Sequence, residues 1–130
     1  MPAGFTATEF NVLEEDGTLV TALSGPSTTG GDCYLMLQHQ YEHDEQDRKL
    51  GFDKPYIEYC GQGWAWYGHI VRFRLSRNRI QVVMDQVAAA QMGNDGELEV
   101  TFDLGDEQFQ ALRTALSTTF ASQRYYLDEA

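Results

Sequence analysis

Three features of this 130-residue chain predict one α+β domain over residues 1–130, mostly antiparallel β-sheet with a short helix and an amphipathic C-terminal helix packed on the sheet. Apolar and polar residues alternate over short runs separated by turn residues, which is strand grammar. Residues 69–76 and 79–84 flank Arg77-Asn78 as a hairpin. Phe109, Leu112, Leu116 and Phe120 recur at helical spacing and draw a single apolar stripe.

Taken in order, Phe10 and Val12 face Leu19-Val20 across Glu14-Glu15-Asp16-Gly17, and Asp-Gly between such runs signals a two-residue hairpin turn. The segment 24–31 is rich in Gly, Ser and Thr and reads as a loop. It is not a phosphate-binding loop, since Gly31 leads into Asp32 and a strand, with no Gly-Lys-Ser/Thr opening a helix. Residues 33–38 and 56–60 supply two more strands, joined by a very acidic connection. Residues 61–68 form an aromatic loop punctuated by glycine. In the hairpin that follows, Val71, Phe73 and Leu75 are expected on one face, with Arg72 and Arg74 on the other. Asp85 is placed to cap a short helix over 86–92, which Gly93 ends. Gly96 opens the strand 98–102, whose Leu98, Val100 and Phe102 alternate with acids and Thr101. Asp106 is placed to cap the final helix.

Charge narrows the partners. Twenty acids against nine Lys+Arg leave a net charge of −11, which disfavours duplex nucleic acid and anionic membranes. A basic partner, or solubility alone, accounts for it better. The acidity is uneven: residues 61–79 hold four Arg and no acid, between two negative blocks. Those arginines are expected to be neutralised internally, by Glu58, Glu97 or Glu99 on other strands. No secretory signal and no transmembrane run is visible, so the chain reads as cytoplasmic. In that setting Cys33 and Cys60 read as free, buried thiols, unless adjacent strands bring them together.

No catalytic motif stands out. The chain lacks a Gly-x-Ser-x-Gly elbow, a His-Glu-x-x-His helix and a dinucleotide fingerprint. Cys60 with His69 is a nucleophile–base pair that the right fold would bring together. His39 and His43, near Asp44, Glu45 and Asp47, are spaced about 13 Å apart if the chain stays extended, too far for one ion. We therefore expect no metal, no cofactor and no catalytic residue.

Several strings recur together in a known family: Leu75-Ser76-Arg77-Asn78-Arg79-Ile80, Tyr56-Ile57-Glu58, Trp66-Tyr67-Gly68-His69-Ile70 and residues 98–104, followed by Phe109, Ala111-Leu112-Arg113, Leu116 and Phe120. In order and spacing they resemble the polymorphic-toxin immunity proteins of family ten, from about Cys33 to Phe120. The resemblance implies a cytoplasmic bacterial protein that neutralises a cognate toxin by binding it, without catalysis. It carries over no interface residue. This chain departs from the family pattern in its tryptophan-rich Gln62-Gly63-Trp64-Ala65 and in the histidines of 38–46.

Two segments are the candidate partner-binding surface. One is the acidic connection with Tyr41, Glu42, Asp44, Glu45 and Asp47, suited to steering a basic toxin. The other is the aromatic turn with Trp64, Trp66 and Tyr67, residue types that dominate interface hot spots. One of the two tryptophans is expected to be buried and one available. The alternative is a small ligand-binding or housekeeping α+β domain with a pocket between helix and sheet. Oligomeric state is open at this stage, since an uncovered sheet edge pairs readily with another copy.

Overall fold

Strand β1 (Ala3–Ala7) runs into β2 (Glu9–Glu15) across Thr8 alone, yet the two belong to different sheets. The computed structural model describes residues 3–26, 31–41, 45–49, 54–60, 64–121 and 123–130. Beyond β2 come β3 (Thr18–Pro26), β4 (Asp32–Gln40), α1 (Glu45–Lys49), β5 (Tyr56–Tyr59), β6 (Ala65–Tyr67), β7 (Ile70–Ser76) and β8 (Arg79–Met84). They are followed by α2 (Gln86–Met92), β9 (Glu97–Phe102), α3 (Asp106–Thr119) and β10 (Tyr126–Asp128). One sheet has the order β1-β9-β8-β7-β10 and the other β2-β3-β4-β5-β6. Pairing is antiparallel except at two edges, where β1 runs parallel to β9 and β10 parallel to β7. The α+β class read from the sequence is the one observed.

The corner between the sheets depends on Gly25. The Thr8 N–H donates to the Ser24 carbonyl at 2.8 Å. A Cβ on Gly25 would stand 2.0 Å from the Thr6 carbonyl oxygen, so only glycine lets β3 pass this close to β1. Strands that switch sheets at a bend are a standard way to fold two sheets over one core. The β2–β3 turn forms at Asp16-Gly17, both with positive φ (52° and 77°), the geometry that Asp-Gly favours in a tight hairpin.

Inner faces of both sheets share one apolar cluster. Phe5, Leu23, Leu35, Leu37 and Ile57 meet Phe73, Leu75, Ile80, Val82 and Val100 there. The expected hairpin is present with its turn at Arg77-Asn78, but one inward position differs from expectation. Val71 is 56% exposed while Phe73 is 0% exposed, and Ile70 takes the inward place. The β7–β8 register shifts between Ile70 and Arg72, and an extra residue in a strand reverses which side its neighbours face.

Helix α2 is as the sequence predicts. The Asp85 carboxylate accepts from the Ala88 N–H at 3.1 Å, and Gly93 closes the helix in the left-handed conformation. Helix α3 starts differently: Gly105 is its N-cap, and Asp106 makes no cap. Asp106 instead accepts from Arg77 at 3.0 Å, while Arg77 also donates to the Leu104 carbonyl and lies 4.5 Å from the Phe109 ring centre. The hairpin turn thus holds the start of α3. Helix α3 packs on a sheet, as expected, and the apolar residues at its two ends also reach the other sheet. It packs along β2, β3 and β4, while Phe109 meets Phe102, and Phe120 meets Phe73 at 4.6 Å. Tyr126 of β10 stacks on Phe120, and Arg74–Glu129 and Arg113–Asp128 ion pairs fasten the tail.

Cys33 and Cys60 form a disulfide, with Cα atoms 4.6 Å apart. This corrects the expectation of free thiols. Antiparallel pairing of β4 with β5 brings Cys60 beside Tyr34, to whose carbonyl its N–H donates at 2.8 Å, and Cys33 lies next in the chain.

Candidate functional site

The acidic connection leaves β4 and enters β5 at the end of the β2–β6 sheet to which β6 returns with Tyr67. Trp64 stands at the other end of β5, its carbonyl accepting from the Tyr59 N–H at 2.9 Å. Gln38 pairs with Tyr56, and Tyr56 with Tyr67, so the strand ends that carry the connection stand beside Tyr67. The Gly68 N–H donates to the Pro55 carbonyl at 3.0 Å and ties the aromatic turn to the end of the connection.

Individual residues are placed as follows. Tyr41 is exposed, packs edge-on to His39 and donates its hydroxyl to Glu14. That hydrogen bond, ahead of burial, raises the phenol above its usual pKa. Glu45 is exposed on α1. Glu42, His43 and Asp44 lie outside the described residues, as does the side chain of Asp47. Trp66 is 6% exposed and donates its indole N–H to Gln91. Trp64 is half-buried, with its ring parallel to that of Tyr59 at 5.9 Å. Tyr67 is 38% exposed, its ring 5.1 Å from that of Tyr56.

Strand register adds residues that sequence reasoning missed. On the side of the sheet away from the core, Gln38, Tyr56 and Tyr67 form one cross-strand row, and Met36, Glu58 and Ala65 the next. Tyr34 reaches diagonally to Glu58. Its hydroxyl donates to one carboxylate oxygen, and the Tyr56 hydroxyl donates to the other at 2.6 Å. Burial, then the hydrogen bond to Glu58, push the Tyr56 phenol far above its ordinary range; for Tyr34 the hydrogen bond comes first. The two phenols therefore stay protonated and keep donating at neutral pH. Period-two alternation could have placed Tyr34, Met36, Tyr56 and Glu58 outward, but only register joins them.

The other sheet's outer side is chemically different. Arg79 pairs with Glu99 at 3.3 Å and Arg74 with Glu129 at 2.8 Å. Glu58, offered by sequence as a partner for these arginines, lies in the opposite sheet. Three of the four arginines are neutralised internally, Arg74 by Glu129, Arg77 by Asp106 and Arg79 by Glu99, while Arg72 makes no ion pair among the described residues.

A concavity lies beside α3. An open groove of about 750 Å³ is lined by Val12, Leu13, Leu19, Tyr41, Ala111 and Ala115, with Glu14 and Glu107 among its walls.

The nucleophile pair considered from sequence does not form. Cys60 is in the disulfide, and the His69 Nδ1 lies 2.7 Å from Asp85 instead. Burial works to raise the Asp85 carboxyl, but the Ala88 N–H and His69 outweigh it, and its pKa falls below the usual range. Among the described residues, no three His, Cys, Asp or Glu side chains are grouped to hold a metal ion. No described helix is long and apolar enough to cross a membrane.

A protein-family model described as Immunity protein 10 matches residues 6–110, reaching further toward the start of the chain than the sequence strings alone. No curated protein and no solved structure matches the chain.

Proposed function

The chain belongs to the immunity protein 10 family, and from that premise we propose that it binds a cognate bacterial toxin and neutralises it by contact, without catalysis. The family match over residues 6–110 is the observation that carries this reading. In this proposal the toxin belongs to a polymorphic-toxin system, is basic, and is met in the cytoplasm. A net charge of −11 supports a basic partner, because opposite charge speeds encounter and suppresses wrong pairings.

The proposed contact surface joins Tyr41, Glu42, Asp44, Glu45 and Asp47 to Trp64 and Tyr67, with Trp66 beneath them as support. Anchoring of the connection and of Tyr67 at one end of the β2–β6 sheet supports the surface there, while Trp64, stacked on Tyr59, extends it to the other end of β5. Co-expression with the toxin domain encoded beside its gene tests the function. Cell survival and a stoichiometric complex are the expected results. Continued killing in the presence of soluble, folded protein overturns it.

A second reading, a small ligand-binding domain, is favoured by the groove of about 750 Å³ beside α3. A small molecule retained on the protein in native mass spectrometry, with no effect of the protein on the toxin, would establish it instead.

A further inference from the structure

The β2–β6 sheet presents a carboxylate held between tyrosines on its outer side. Glu58 is half-buried, and both of its oxygens are already engaged by phenol hydroxyls, from Tyr34 and Tyr56. Tyr67 packs against Tyr56 and extends the aromatic wall toward the edge strand. Met36 and Ala65 flank Glu58 across the strands and leave it between small or flexible neighbours. No ion pair joins Glu58 to a described Lys or Arg, whereas Glu99 and Glu129 each have an arginine on the other sheet.

We propose that Glu58, Tyr34, Tyr56 and Tyr67 form the seat for one lysine or arginine side chain of the toxin. The proposal rests on the toxin-binding reading and specifies where on the sheet a basic residue is received. Charge complementarity argues for this occupant. A carboxylate has about four lone-pair sites, and two hydroxyl donors leave half of them for an incoming N–H. The tyrosine rings present negative faces to a cation, which strengthens as water is displaced. Both hydroxyl contacts fix the carboxylate and the rings before the partner arrives, so little freedom is lost on binding. Tyrosine, methionine and a single central charge match the composition of an interface core better than that of a solvated sheet face.

The test measures binding of the toxin domain encoded beside the gene, against wild-type protein and Glu58→Gln, at low and high salt. Glu58→Gln is expected to weaken the complex roughly tenfold or more and to flatten its salt dependence. Alanine replacement of one toxin lysine or arginine should produce the same loss, and the two changes together should cost no more than either alone. Tyr67→Ala, at a site 38% exposed, provides a second variant, whose folding is checked by its melt, and should weaken binding severalfold. Unchanged affinity of folded Glu58→Gln and Tyr67→Ala, while wild type binds normally, overturns the seat and leaves the immunity reading standing. No binding by wild type overturns both.

Discussion

Ile70 and Phe73 point into the same core although they stand three positions apart along a strand. Regular alternation forbids that arrangement. The extra residue between Ile70 and Arg72 permits it, by placing Val71 outside and restoring the inward phase at Phe73. The prediction reverses the ranking that strict alternation gives, with Val71 inward and Ile70 outward. Val71→Thr should change stability by less than about 0.5 kcal/mol, while Ile70→Ala should cost about 2–4 kcal/mol. Urea midpoints of the two variants measure it, and a costly Val71→Thr would put the bulge elsewhere.

The same segment shows what the sequence could reveal. Helix α2 was legible to the residue because its signals are local: Asp85 sits three residues before the N–H it accepts from, and Gly93 ends it. The hairpin turns were legible for the same reason. Strands β1 and β10 were not, since their parallel partners β9 and β7 lie far along the chain and nothing nearby marks the pairing. Asp106 carried a cap signal that Arg77 claimed for an ion pair, an outcome fixed by tertiary packing. At the candidate site, Tyr41 and Tyr67 were identified by residue type. Tyr34, Tyr56 and Glu58 were not, because their meeting depends on the Met36–Glu58 register between strands.

The disulfide should matter most to the unfolded chain. Cys33 and Cys60 are 27 residues apart in sequence, and closing a loop of that size removes chain entropy worth about 3–4 kcal/mol on the loop-entropy account. Reduction, or replacement of both cysteines by alanine, should lower the denaturant midpoint by a corresponding amount while leaving the native spectrum intact. Equal midpoints with and without reductant would show that the bond does not form in solution. Thiol trapping in intact cells adds the compartment, because a reducing cytoplasm keeps such pairs as thiols.

Gly25 is the least replaceable residue at the corner between the sheets. Its missing Cβ would meet the Thr6 carbonyl at 2.0 Å and the Ala7 Cα at 3.1 Å, and both belong to backbone that cannot swing aside. Gly25→Ala should therefore cost at least about 1–3 kcal/mol through overpacking. At Gly17, where a Cβ finds open space, alanine meets only the positive φ and should cost about 1 kcal/mol. Thermal melts of the two variants give the comparison, and a milder Gly25→Ala would mean that β1 is free to lift away from β3.

Alkaline pH tests the tyrosine network directly. The chain has seven tyrosines, and Tyr34, Tyr41, Tyr56, Tyr59, Tyr125 and Tyr126 all have pKa values above the ordinary 10. Burial drives the rise at Tyr59, Tyr125 and Tyr126, reaching about 12 for the last two. A phenol whose pKa is higher folded than unfolded contributes full stability below pH 10. Above it, the unfolded chain releases protons that the folded chain retains, so stability falls as pH rises from 10 through about 12. Tyrosinate absorbance should then rise steeply, together with loss of near-ultraviolet dichroism. Tyr56→Phe removes one of the retained protons, and should make the fall of stability with pH less steep. Smooth titration of all seven phenols near 10, with the fold intact, would disprove the buried and carboxylate-bound arrangement.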